Sequence, residues 1–202
     1  MLFVALPLLY RFEWVRLPLL PALWLLSAGC LAVLLRDPGF DRRRLWNRAR
    51  LAARIRSAAV PFLLSAPVLV LAVWWFEPDR FLSFARQRPL IWAAVMVLYP
   101  VLSVYPQGIV FRVFLLHRYR PLFPGHRSLL LASAVAFALV HVVFRNWVAP
   151  PLSFAGGMLF AATYERTGSS LVAAIQHALF GCLLFTIGLG WYFYHGAAAA
   201  GG

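Results

Sequence analysis

The sequence predicts an all-α, polytopic transmembrane helical bundle of six to eight membrane helices, and three observations carry that prediction. Hydrophobic residues make up 63% of the 202 residues, while only 12% are charged and the mean hydropathy is +0.79. Soluble chains run nearer a quarter charged, and a chain this short has too little interior to hide so much apolar surface. The charges are also segregated, because every basic side chain is an arginine and the arginines cluster between long stretches that have none. A charge at the bilayer centre costs roughly 2.5–3.5 kcal/mol by insertion scales, so segregation of this kind is what a membrane imposes.

The elements follow from length. A spanning helix needs about 20 apolar residues, and Leu17 to Leu35 qualifies between Arg16 and Arg36. The first ten residues are apolar but too short to span. They lack a small-residue cleavage site, so a short interfacial helix is expected there rather than a signal peptide. Arg36 to Arg56 holds eight arginines. From Asp41 to Ser57 they interleave with Leu45, Trp46, Leu51 and Ile55, the spacing of an amphipathic helix lying on the membrane surface. Ala58 to Phe76 is the second span, and Glu77 to Pro89 a polar connection. Leu90 to Tyr105 is a third apolar stretch, interrupted at Pro100. Pro106 suits the first position of a new helix, where its missing N–H is no loss, and that helix is expected to run to about Tyr119. Ser128 to Phe144, Trp147 to Tyr164 and Ser170 to Tyr194 complete the series. The organisation expected is an N-terminal membrane region over 1–89, with two spans and the basic surface segment 36–57. A core over 90–194 and a disordered tail over 195–202 follow.

Net charge +13 would point to nucleic acid in a soluble protein. Here the basic run follows directly on an apolar span. Such a run sets topology and attracts anionic headgroups, so membrane lipids are the expected partners and nucleic acid is not. With the Arg36–Arg56 loop in the cytoplasm, six alternating spans put Arg118, Arg120, Arg127 and Arg166 there too. Arg11, Arg16, Arg80, Arg86, Arg88 and Arg145 then lie opposite, an imbalance that obeys the positive-inside rule. Cys30 and Cys182 both lie in apolar stretches without metal-ligand spacing, and are expected to be small buried hydrophobes.

Ionisable groups inside the membrane are expensive and therefore the first functional candidates. The C-terminal half has few: Arg112, His141 and His177, with Glu165 in the polar turn Tyr164-Glu165-Arg166-Thr167-Gly168-Ser169. Taken singly, each has a bland reading as a snorkelling arginine, a packed histidine or a solvated loop acid. Together they place three costly groups on three segments. Small residues such as Ala132, Ala136, Gly157 and Ala161 would let those helices approach closely. Phe137 and His141 share a helix face, as do Ala173, His177 and Gly181. HExxH, GxSxG and paired aspartates are absent. Two histidines with no carboxylate make a poor zinc site, so no metal and no cofactor are expected.

The strings Gln107-Gly108-Ile109-Val110-Phe111-Arg112, Phe137-Ala138-Leu139-Val140-His141 and His177-Ala178-Leu179-Phe180-Gly181 resemble a three-part signature. It is that of the CPBP family: EExxxR, FxxxH and HxxxN on successive helices. This is the family of CAAX-type prenyl proteases and bacteriocin-processing (Abi) proteins, intramembrane glutamic-type endopeptidases. Gly157 to Leu171, GMLFAATYERTGSSL, is similar to the family's glycine-bearing helix and its Y-x-R-T-G-S-L turn. The resemblance covers roughly Leu90 to Tyr194. It implies peptide-bond hydrolysis near the membrane in a protein or peptide substrate, without a metal, and a bacterial inner (plasma) membrane as the location. It further implies that His141 helps activate water and that His177 faces the oxyanion.

The chain departs from that signature at three positions. Gln107 and Gly108 stand where the family has two glutamates, and Gly181 where it has an asparagine. Gly108 also removes the acid four residues before Arg112, which leaves Glu165 as the expected charge partner of that arginine. Three readings stay open: a hydrolase with a histidine as base, an enzyme altered at Gly108, and a non-catalytic relative that binds a peptide or partner protein. A transporter is disfavoured, because the intramembrane charges form one small cluster and no repeat is evident.

Overall fold

The computed structural model describes residues 18–193, together with residues 3, 5, 7, 11 and 12. The short helix expected over the first ten residues lies mostly outside the described residues, as do Leu17 and the 195–202 tail. The described residues form helices joined by turns, with no strand among them. In chain order these are α1 (Leu19–Arg36), α2 (Arg43–Trp46), α3 (Leu51–Phe76), α4 (Ser83–Gln87), α5 (Pro89–Arg118), α6 (His126–Val140), α7 (Ala149–Thr167) and α8 (Ser170–Ile187). A 3₁₀ turn, His141–Phe144, extends α6, and a second, Leu189–Phe193, follows α8. Among the described residues, α1, α3, α5, α6 with its 3₁₀ turn, and α8 are long and apolar enough to cross a membrane. The protein is an integral membrane helical bundle. Its outward surface is apolar, with Leu64 and Trp75 on α3, and Leu90 and Val97 on α5, each at least 72% exposed. Helices suit that surface because they satisfy their backbone groups internally.

Helix α7, expected as a span over Trp147 to Tyr164, is not among those five, and the structure departs from the expected elements at two further places. Leu90 to Tyr105 and the helix expected to begin at Pro106 are one continuous 30-residue helix. Pro100 and Pro106 sit inside it instead of bounding it. A proline inside a helix leaves the carbonyl four residues earlier without its N–H, and both freed carbonyls find donors on neighbouring helices. Trp24 Nε1 of α1 donates to the Leu102 carbonyl at 3.0 Å, and Cys182 Sγ of α8 lies 3.9 Å from that of Met96. The helix absorbs the mismatch by widening into π turns at Pro100–Val104 and Ile109–Phe114. The second departure is the stretch Asp41 to Ser57, which is not one amphipathic helix. It is the single turn α2, a bend at Arg50 in the left-handed region (φ 51°), and the opening turns of α3.

Close approach of α6 and α7 follows from Gly157, where a Cβ would come within 3.0 Å of Ala134 Cα. Ala136 and Ala161 are buried beside that crossing. Helix α8 is held against α3 by Gln176 Nε2 donating to the Ala58 carbonyl at 2.6 Å and by Phe62 against Phe180. At one end of the bundle the α7–α8 turn passes through Gly168 in the left-handed conformation (φ 58°). It is tied to the basic segment there: Ser169 Oγ donates to the Asn47 carbonyl at 2.9 Å, and Asn47 Nδ2 to the Gly168 carbonyl at 3.4 Å. At the opposite end Glu77, Arg80 and the Tyr192 hydroxyl form a closed triangle with sides of 2.6–2.7 Å. Asn146 caps α7 by accepting from the Val148 and Ala149 amides.

Candidate active site

The π turn Ile109–Phe114 aims Arg112 into the bundle. π turns recur at functional sites because they rotate one side chain out of the helical register. Arg112 is 2% exposed. Its guanidinium sits over the rings of Phe137 and Phe160, 5.8 and 5.6 Å from their centroids. Nη2 lies 3.4 Å from His177 Nδ1 and 3.5 Å from the Val104 carbonyl, whereas Nε and Nη1 are buried with no partner among the described residues. Hydrogen bonds missing from a buried cation cost more than from a neutral group.

His177, on α8, is stacked on Phe160 at 4.5 Å and 20°, and its Nε2 lies 3.3 Å from the Tyr99 hydroxyl. An arginine has only donors, so Nδ1 must accept from Arg112. The ring proton then belongs on Nε2, which donates to the Tyr99 oxygen and leaves the phenolic proton free to donate onward. Arg112, His177 and Tyr99 thus form a directed chain of donors. His141 starts the 3₁₀ turn after α6. Its Nδ1 donates to the Phe137 carbonyl at 2.6 Å, so the unprotonated nitrogen of the neutral ring is Nε2, for which no protein partner exists among the described residues. Phe137 stands between the two histidines, its ring centroid 4.7 Å from His141 and 5.4 Å from His177. Phe144 and Phe193 complete the apolar wall around His141.

The departures from the signature acquire definite places. Gln107 donates to Ser103 Oγ at 2.7 Å, one turn back, and its Oε1 is buried with no partner among the described residues. It makes no hydrogen bond to either histidine. At Gly108 a Cβ would lie 2.9 Å from Arg112 Nη2, so a carboxylate there would meet the guanidinium. At Gly181 a Cβ would lie 2.3 Å from the Tyr99 hydroxyl oxygen. Tyr99 therefore fills the space that a side chain at 181 would need. Sequence reasoning passed over Tyr99 because a tyrosine in an apolar stretch is ordinary; only the glycine four residues after His177 hinted that something else occupied its place.

Glu165 is not the partner of Arg112. It lies at the end of α7, beside the basic segment, with Arg44 at 3.5 Å, His126 at 3.6 Å and Arg120 at 3.8 Å. It stands two residues before the α7 terminus, outside the bundle interior, where arginines from two other segments reach it. No group of three or more His, Cys, Asp and Glu side chains that could hold a metal exists among the described residues.

Residues 88–183 match the family model of the type II CAAX prenyl endopeptidase Rce1-like. That stretch is an Rce1-like domain. No curated protein and no solved structure matches the chain. The Rce1-like domain, of the CPBP family, contains Tyr99, Arg112, His141, Glu165 and His177, and the α5–α8 scaffold that carries them. The match supports, at the level of the family, a CAAX-protease-type intramembrane endopeptidase, a kind of protein that works in lipid on protein or peptide substrates. Phe193 lies beyond the Rce1-like domain, as does the basic segment that faces Glu165.

Proposed function

We propose that the chain is an intramembrane endopeptidase in which His141 takes the part of the general base that the absent glutamates play elsewhere. The observation that carries this reading is the Nδ1 hydrogen bond of His141 to the Phe137 carbonyl, which presents the Nε2 lone pair. A base must hold its tautomer and orientation to accept a proton usefully. His141 Nε2 removes a proton from water, the hydroxide adds to the scissile carbonyl, and the proton is returned to the departing amine as the C–N bond breaks. The oxyanion forms at the donating end of the Arg112–His177–Tyr99 chain. There the phenolic proton serves where the family uses an asparagine, and a preorganised donor in a dry site is worth about 3–4 kcal/mol. The substrate is a protein cut near its membrane-proximal or C-terminal segment.

A second reading is a non-catalytic member of the same fold that binds a peptide or partner protein. It is favoured by one observation: among the described residues no carboxylate reaches Arg112 or either histidine. The two readings separate on purified protein incubated with a panel of membrane-tailed peptides. Cleavage by the unaltered chain that falls by roughly 10²–10⁴-fold in His141→Ala, and is also lost in His177→Ala, supports the hydrolase. Cleavage gained only in Gly108→Glu means a protease fold lacking its carboxylate. Peptide retention without cleavage in every variant supports the binding protein. The cytoplasmic placement of the basic end, and a bacterial inner membrane, rest on the arginine bias and the resemblance.

A further inference from the structure

Away from the histidines, an open cleft of about 270 Å³ lies between the start of α3 and the end of α7. It is lined by Arg50, Ala53, Arg54, Ser57, Arg166 and Thr167. Three arginines face it and no acid does. Among the described residues none of the three makes an ion pair, and Arg54 Nη1 is buried with no hydrogen-bond partner. The neighbouring carboxylate, Glu165, is engaged elsewhere, by Arg44, Arg120 and His126. The cleft also sits at the N-terminus of a 26-residue helix that opens with no side-chain cap and no acid in its first turn. Free amides and the positive end of the helix dipole point to the same place. Guanidinium groups offer forked donors suited to phosphate oxygens.

What the cleft adjoins decides the source of the anion. Two to three turns along α3, Val60, Leu63 and Leu64 are 49–72% exposed and apolar, so the cleft opens at the surface of the membrane that the same helix enters. Its volume falls just below the roughly 300–1,000 Å³ of sites that enclose a drug-sized molecule, which suits a headgroup whose tails stay outside. We propose that the Arg50–Arg54–Arg166 cleft binds the phosphate of an anionic phospholipid headgroup. It is a discrete site, unlike the diffuse attraction that the remaining arginines of this end exert. Occupancy would bridge the basic segment to the α7–α8 turn, which Asn47 and Ser169 already join.

The test uses the full chain in an uncharged detergent, titrated with dioctanoyl phosphatidylglycerol while its melting temperature is followed. The unaltered protein is expected to show a saturable rise. Arg50→Gln with Arg166→Gln removes two exposed cations of the cleft and is expected to weaken the apparent affinity roughly twenty-five-fold, at about a factor of five for each charge. Arg54→Gln alone removes the half-buried cation and is expected to weaken the apparent affinity about fivefold; an unchanged affinity overturns its part in the site. Arg118→Gln with Arg127→Gln removes the same charge from exposed arginines at the same end. It is expected to change the affinity by less than about threefold, because charges well away from a bound anion are screened. Equal weakening by both pairs, or no response to the lipid, overturns the proposal. Inorganic phosphate that saturates the site in the unaltered protein but not in Arg50→Gln with Arg166→Gln, at concentrations where the lipid does nothing, overturns the lipid assignment.

Discussion

Two charged side chains of the C-terminal half invite comparison because each lacks the partner its sequence neighbourhood promises. Glu165 is an acid with two arginines and a histidine around it and its side chain 8% exposed. Arg112 is a cation with no acid beside it among the described residues, 2% exposed and bounded by two aromatic faces, a backbone carbonyl and an imidazole. The first sits where a helix ends at the membrane surface, so arginines from the 36–57 segment and from the α5–α6 connection can reach it. The second sits where only helix faces reach, and those faces carry phenylalanine, histidine and glycine. A charge at the rim is neutralised by whatever loops arrive. A charge in the interior has only what neighbouring helices present, and here it orients His177 instead of closing an ion pair.

Breaking the interior chain at its far end is expected to have the largest effect. Tyr99→Phe keeps the ring that fills the space beside Gly181 and removes the donating hydroxyl. Cleavage of a tailed peptide should fall by about a hundredfold, with binding of that peptide little changed; an unchanged turnover would remove Tyr99 from the mechanism. Converting the interior site into something like the rim comes next. Gly108→Glu puts a carboxylate against Arg112 and is expected to stabilise the folded protein by about 1.5–3 kcal/mol, the worth of hydrogen bonds to a charged group. A lower melting temperature would mean that the guanidinium cannot shift to admit the new Cβ.

Glu165→Gln should cost about 1 kcal/mol, because the carboxylate is held by three partners that are themselves 31–62% exposed and screened. In a double-mutant cycle with Arg112→Met, the two changes should add within about 0.5 kcal/mol. A larger coupling would restore the expectation that Glu165 serves Arg112. The smallest effect belongs to Asp37, at the rim after α1, where a hydrogen bond from His117 at 2.8 Å and one from the Gly39 amide hold its carboxyl below the usual range. Because its folded value is depressed, the stabilisation is present above the unfolded carboxylate value of about 4 and is lost as pH falls through the folded one. Asp37→Asn should flatten that acid limb of the melting temperature; an identical limb in both proteins would mean that the contact contributes nothing.

The outline of the bundle was legible from residue order, because the bilayer makes apolar length and excluded charge visible in one dimension. The spans expected from Leu17, Ser128 and Ser170 follow from that arithmetic, as does the choice of Arg112, His141 and His177 as the costly groups worth explaining. Partnerships were not legible, because they depend on which faces meet. Pro100 and Pro106 read as helix boundaries until Cys182 and Trp24 are seen to serve the carbonyls they free. Arginines that continue one amphipathic pattern are divided by the bend at Arg50 between a loop and the opening of α3. Gly181 reads as a lost donor until Tyr99 is found in its place. Thus the sequence by itself determined that this is a membrane protein of helices carrying a few expensive polar groups in its C-terminal half. Only the tertiary structure decided which of those groups touch, since a contact between residues 78 positions apart, as Tyr99 and His177 are, is set by helix packing and leaves no local pattern.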